Sequence, residues 1–163
     1  MKIKGAVEIQ RLFYAEKENK CLQCIKRYDI MDKKEGKMMD GIMRINLDEK
    51  TAKEYAYSEI VEAGGFVFLT FCVGNVGQNV EKQVHGALDN MEKRLALVGL
   101  NLSHVVKVDV MMKDPWNIPA MEKVFAERFG EHLPARKTIA TEFAHKGGEY
   151  GLQVQIDAIA YRS

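Results

Sequence analysis

The sequence predicts an α+β domain, a mixed and mostly antiparallel sheet with two helices on one face, and three observations carry this. Two segments each place their apolar residues in a single stripe at helical spacing, so each helix buries one face. Several others alternate apolar and polar residues with the period of two that marks a half-buried strand. The order runs strand, strand, helix, strand, helix, strand, strand, which is best met by helices gathered on one side of a sheet.

The elements follow in turn. Residues 1–42 form a charge-rich N-terminal extension: Lys17 to Lys20, Lys26-Arg27 and Asp32 to Lys37 carry apolar residues at no sustained period, and weak packing is expected of them. The domain proper is assigned to residues 43–163. Val67, Phe68 and Leu69 read as a short buried strand, and Tyr55 to Val61 as its hairpin partner across the turn Glu62-Ala63-Gly64-Gly65. Val80, Val84, Ala87, Leu88, Met91, Leu95 and Val98 then share one helical face, with Asn79 placed to cap its start and Gly99 its end.

Val106, Val108, Val110 and Met112 alternate with Lys107, Asp109 and Met111 as one strand. Asn117 is expected to cap a second helix, whose face is Met121, Val124, Phe125 and Phe129 and which stops at Gly130. Thr138 to Phe143 reads as a further strand. Leu152, Val154, Ile156, Ala158 and Ala160 alternate with Gln153, Gln155 and Asp157 in the last. The face left uncovered by helices carries Val and Ile among polar residues and is suited to a second subunit.

The 163 residues suit one globular domain, and 24 Lys plus Arg against 23 Asp plus Glu leave no basic field to attract nucleic acid or a membrane surface. The N-terminus has no apolar signal core, and no run of ~18 apolar residues exists to span a bilayer, so a cytoplasmic protein is expected. Cys21, Cys24 and Cys72 are too few for a disulfide framework. Cys21-Leu22-Gln23-Cys24 has half the spacing of a zinc site but no second half, and His85, His104, His132 and His145 are scattered without ligand spacing, so no metal is expected. Cys72 reads as a small buried hydrophobe and Trp116, beside Pro115, as a packing anchor.

A series of segments from Ile45 to Arg162 carries a further signal: Tyr57 to Phe68, Ala87-Leu88-Asp89-Asn90-Met91, Val105 to Val108, Val124 to His132, Pro134-Ala135-Arg136 and Ile156 to Ala160. In this order and spacing the sequence resembles the Rid/YjgF family. The resemblance implies a chorismate-mutase-like fold, a homotrimer with ligand sites in the clefts between subunits, and no metal or organic cofactor. It implies hydrolytic deamination of reactive enamine and imine intermediates, of the 2-aminoacrylate and 2-iminopropionate kind, to keto acids and ammonia. The alternative is a non-catalytic module of the same trimeric fold that binds a small keto acid or other carboxylate.

The same resemblance assigns residues. Arg136, of Pro-Ala-Arg, stands where the family grips the substrate carboxylate, and a guanidinium fork matches a carboxylate bidentately. Tyr57 and Thr70 match cleft-lining hydroxyl groups. Thr70-Phe71-Cys72 departs from the family's Ser-Gly-Gln, so the Phe71 ring replaces a glycine and a smaller or reshaped pocket is expected. Thr138 replaces a cysteine two residues after the arginine. Gln155 replaces the glutamate that activates the attacking water, and a glutamine orients water without taking its proton. The stretch from His145 to Gly151 is longer than usual, and a two-residue slip there would put Asp157 or Gln153 in this role instead. Ribonuclease activity, attached to some relatives, is opposed by the neutral charge and the lack of a basic patch interleaved with aromatics.

Overall fold

The computed structural model describes residues 41–143 and 151–162. Its strands are β1 (Ile42–Ile45), β2 (Ile60–Ala63), β3 (Phe66–Cys72), β4 (Val105–Met112), β5 (Ala135–Ala140) and β6 (Val154–Tyr161). The helices are α1 (Glu49–Glu54), α2 (Val80–Leu97) and α3 (Ile118–Phe129). The strands form one sheet in the order β1-β2-β3-β6-β4-β5, in which the β4–β5 pair is parallel and the other neighbours are antiparallel. The two long helices and the mixed sheet are those expected from the sequence. The N-terminal extension to Asp40, with Cys21 and Cys24, and the segment 144–150, with His145, lie outside the described residues.

Several local expectations are corrected. Tyr55 to Ser58 is not strand: Tyr55 ends α1, a one-turn helix capped by Asp48, and the hairpin partner of β3 begins at Ile60. β1 adds a strand before it that the periodicity did not single out. The penultimate strand runs Ala135–Ala140 rather than from Thr138 to Phe143, because it pairs with β4 from Lys107 onward. Asn117 precedes α3 without a side-chain cap; Asp114, which accepts from the Trp116 N–H, caps the 3₁₀ turn Pro115–Asn117 instead. Trp116 is 88% exposed and anchors no packing.

The core lies between the sheet and the apolar stripes of α2 and α3. Val84, Ala87, Leu88, Met91 and Leu95 meet Val67, Leu69, Val108, Val110, Val154, Ile156 and Ala158, with Met121, Val124, Phe125 and Phe129 beside them. Asn79 accepts from the Lys82 N–H at the start of α2, and Gly99 takes a left-handed φ of +72° just beyond its end, as the sequence suggested. Gln83, fully buried, donates to the Gln78 and Gly151 carbonyls and accepts from the Gln153 N–H, which fastens the chain entering β6 to α2. Among the described residues no helix is long and apolar enough to cross a membrane.

Two bulges set the aim of side chains. On β4, Val105 pairs with Ala160 and Lys107 with Ile159, so Val106 is the extra residue; it is exposed while Val105 is buried, the reverse of the expected phase. On β3, Leu69 pairs with Ala158 and Cys72 with Ile156, so Thr70 and Phe71 both stand opposite Asp157. The helix-free face of the sheet shows Phe66, Phe68, Ile139 and Tyr161, each more than two-fifths exposed.

Candidate functional site

Three of the residues singled out by sequence meet at one corner. α1 ends in a Schellman turn, in which the Tyr57 N–H bonds the Ala52 carbonyl and Ala56 adopts a left-handed φ of +57°. This turn delivers Tyr57 to Phe71, with ring centroids 5.5 Å apart and planes tilted by 43°. Burial, then the charge of Glu59, raises the Tyr57 phenol above its ordinary pKa, so it acts here as a neutral hydroxyl. Thr70, beside Phe71 in the bulge, is half-buried, and its N–H donates to the Glu59 carbonyl.

Beneath the bulge lies a pair of charges that the sequence reading passed over. Arg94 Nη1 donates to the Thr70 carbonyl at 2.7 Å and the Phe71 carbonyl at 2.9 Å, and Nη2 meets Glu59 Oε1 at 3.0 Å. Both side chains are at most a tenth exposed. Glu59 Oε2 accepts from the Leu47 and Asp48 N–H groups, and the Glu59 N–H donates to Asn46 Oδ1. The signal was present: Arg94 falls three residues after Met91 and seven after Ala87, inside the apolar stripe of α2, where a charge is out of place.

Arg136 and Thr138 stand on β5, at the far edge of the sheet. Arg136 lies on the helix-covered side, where Nη2 meets Glu122 Oε1 of α3 at 2.6 Å and Nη1 reaches Met121 Sδ at 3.7 Å; its side chain is 31% exposed. Thr138 Oγ1 is shielded and meets no hydrogen-bond partner among the described residues. Gln155, on β6, lies on the opposite, helix-free side, its Nε2 3.7 Å from Met111 Sδ. Three strand spacings of ~4.8 Å separate β5 from β3, about 14 Å across the sheet. One chain therefore brings together Tyr57, Thr70 and Phe71, with Gln155 on the neighbouring strand β6, but does not bring Arg136 to them.

Asp157, two residues after Gln155 on the same face, has the more unusual surroundings. It stands directly across from Asp109, whose carboxylate is paired with Lys107, in a hollow of ≈ 240 Å³ lined also by Phe68 and Ile159. Burial, then the charge of Asp109, raises its pKa. Its Oδ1 meets no hydrogen-bond partner among the described residues. Among those residues no three His, Cys, Asp or Glu side chains converge as a metal site.

The family model for Endoribonuclease L-PSP matches residues 48–162. A solved structure from Streptococcus pyogenes M1 GAS, described as a member of the highly conserved yjgF family, is 51% identical, with a TM-score of 0.69 over 76% of this chain and 98% of that one. A RutC family protein of Pyrococcus horikoshii is 31% identical over 113 residues, 65% of this chain and 86% of its own. A Dermatophagoides farinae protein named 2-iminobutanoate/2-iminopropanoate deaminase is 28% identical over 113 residues, 63% of this chain and 83% of its own. The six-stranded mixed sheet, the two helices and the match across the whole domain show that the chain belongs to the YjgF/RidA family.

Proposed function

We propose that the protein hydrolyses small 2-imino acids, formed from enamines such as 2-aminoacrylate, to 2-keto acids and ammonium. The observation that carries the reading is Arg136: a partly exposed guanidinium on an edge strand, held through Glu122 on one side, at the family's Pro-Ala-Arg position. A substrate carboxylate replaces or joins Glu122 in accepting its N–H groups, as a guanidinium fork allows. The name of the Dermatophagoides farinae relative is in keeping with this chemistry.

The cleft is shared between neighbouring copies in a homotrimer, so that Arg136 of one chain faces the Tyr57, Thr70 and Phe71 corner of the next. The separation of about 14 Å across one sheet is what such sharing removes. With the carboxylate held, water adds to the C=N carbon of the iminium. The resulting carbinolamine passes its hydroxyl proton to nitrogen and the C–N bond breaks, leaving the keto acid and ammonium. Gln155 accepts from and donates to the water, and Tyr57 and Thr70 bond the nitrogen or the new hydroxyl. Positioning supplies the rate, since no carboxylate occupies position 155. Cytoplasmic residence and the absence of a required metal or cofactor belong to the same reading.

Gln155 also favours a second reading, a module that binds a keto acid without turning anything over. Release of pyruvate from 2-iminopropionate, with keto-acid binding by calorimetry, separates the two. The hydrolase reading expects wild type to exceed the spontaneous rate and Gln155→Glu to gain about 100-fold in kcat by restoring a general base. Binding of pyruvate by wild type with no rate above background would replace it by the second.

A further inference from the structure

Buried ion pairs are poor sources of stability, because desolvating two charges costs about what their attraction returns, and apolar residues commonly replace them without loss. Arg94 and Glu59 nevertheless sit within a largely apolar interface between α2 and the sheet. What the pair touches is distinctive. One guanidinium holds both carbonyls of the β3 bulge, and through Glu59 it holds the chain from Asn46 to Asp48 that leads into α1. Tyr57 leaves α1 two residues before Glu59, while Thr70 and Phe71 are the bulge residues themselves.

A bulge leaves carbonyls outside the regular ladder, and these need donors if the strand is to hold one geometry. Arg94 supplies two donors to them from a single planar group and spends a third on Glu59. A lysine presents a compact charge on a flexible stem and lacks this fixed fork. Both segments that form the corner are thus referred to one rigid helix. We propose that Arg94, acting through Glu59 and the Thr70 and Phe71 carbonyls, is a positioning residue that sets the placement of Tyr57, Thr70 and Phe71 toward the ligand. This rests on reading that corner as the ligand-lining one.

The test compares wild type, Arg94→Lys, Arg94→Met and Glu59→Gln with Val84→Ala, a core truncation in the same helix that touches none of these groups. Amide hydrogen exchange is followed residue by residue, together with kcat and KM on 2-iminopropionate. In Arg94→Lys the expected result is an approximately tenfold loss of protection at the Leu47, Asp48 and Thr70 amides with β4 and β6 unchanged, because the opening is local. The expected kinetic result is an approximately tenfold fall in kcat with little change in KM, since Arg136 still binds the carboxylate. Glu59→Gln, which keeps one acceptor oxygen but turns an amide N–H donor toward either the Arg94 guanidinium or the Leu47 and Asp48 N–H groups, should fall between wild type and Arg94→Met. Unchanged exchange at those three amides, or a loss spread over the sheet as in Val84→Ala, would overturn the proposal. If wild type shows no turnover, the hydrolase reading fails by itself, and the exchange pattern then decides the positioning role.

Discussion

Asp157 and Cys72 are neighbours in the sheet on which burial acts in the same direction with different consequences. Burial pushes the Cys72 thiol up to about 11 despite the nearby Arg94 guanidinium. At pH 8 roughly one molecule in a thousand then carries the thiolate, so native Cys72 should react with iodoacetamide at least ~100-fold more slowly than in urea. Peptide mass spectrometry separates it from Cys21 and Cys24; comparable rates in the two states would contradict the burial. For Asp157 the folded state favours the protonated form, so the fold binds this proton more tightly than the unfolded chain does. Stability from this group is full below the ordinary value of 3.8 and is lost as pH rises from there through the raised folded value. Asp157→Asn should therefore remove a loss of stability over that window, read as a urea midpoint that falls less, relative to wild type, on going from acid to neutral pH. An identical pH profile in the variant would refute it.

At this scale the sequence was readable where a residue type is rare in its setting or belongs to a motif. Arg136 was singled out through Pro-Ala-Arg, and it occupies an accessible edge strand. Arg94 was missed although it breaks an apolar stripe, because one charge among seven apolar positions reads as tolerance at a helix margin until its partner is known. Glu59 lies thirty-five residues away in sequence, and their pairing exists only in the folded chain.

Among elements, the turn leaving α1 and the contact between α2 and the loop after β3 carry the clearest tests. Ala56 holds a left-handed φ of +57° without being glycine. That conformation costs an L-residue about 1–2 kcal/mol, more than the 0.4–1 kcal/mol that glycine adds to unfolded-chain entropy. Ala56→Gly should thus stabilise the protein slightly, with thermal melting as the readout; destabilisation would show that the turn is not formed. Gly86→Ala tests a closer balance. Alanine gains about 1 kcal/mol of helix propensity, but its Cβ would lie 2.7 Å from Asn75 Nδ2 and 2.8 Å from the Gly74 carbonyl carbon. Overpacking against backbone costs 1–3 kcal/mol, so a net loss of about 1 kcal/mol is expected in urea unfolding, and a gain would contradict the close approach.

The two long helices were legible because their apolar stripes extend over several turns. β1 and α1, of four and six residues, are too short for a period to accumulate, and the aromatic residues at Tyr55 and Tyr57 imitated a strand. The phase of β4 was read correctly at Val108, Val110 and Met112 and misplaced only at Val106, because Val105 and Val106 are both apolar and only the bulge opposite β6 decides which one is buried.

At the scale of the whole molecule, the described residues present one helix-covered face and one face bearing Phe66, Phe68, Ile139 and Tyr161, with β5 exposed along its edge. Association through this surface is part of the proposed trimer, and sedimentation equilibrium should give three chain masses for wild type and Arg136→Ala alike. A monomer would leave Arg136 without the corner it is proposed to face. This is also why the fold was more legible than the site: the fold follows from periods within one chain, whereas the proposed cleft needs residues from two. In the proposed reaction Arg136 holds the carboxylate of an imino acid while water attacks it. The most direct test is ammonium release from freshly generated 2-aminoacrylate by wild type and Arg136→Ala, measured against the uncatalysed rate. Acceleration by wild type and a loss of about 100-fold or more in the variant are expected, as when a positioning group is removed. Equal rates in the two proteins would contradict it.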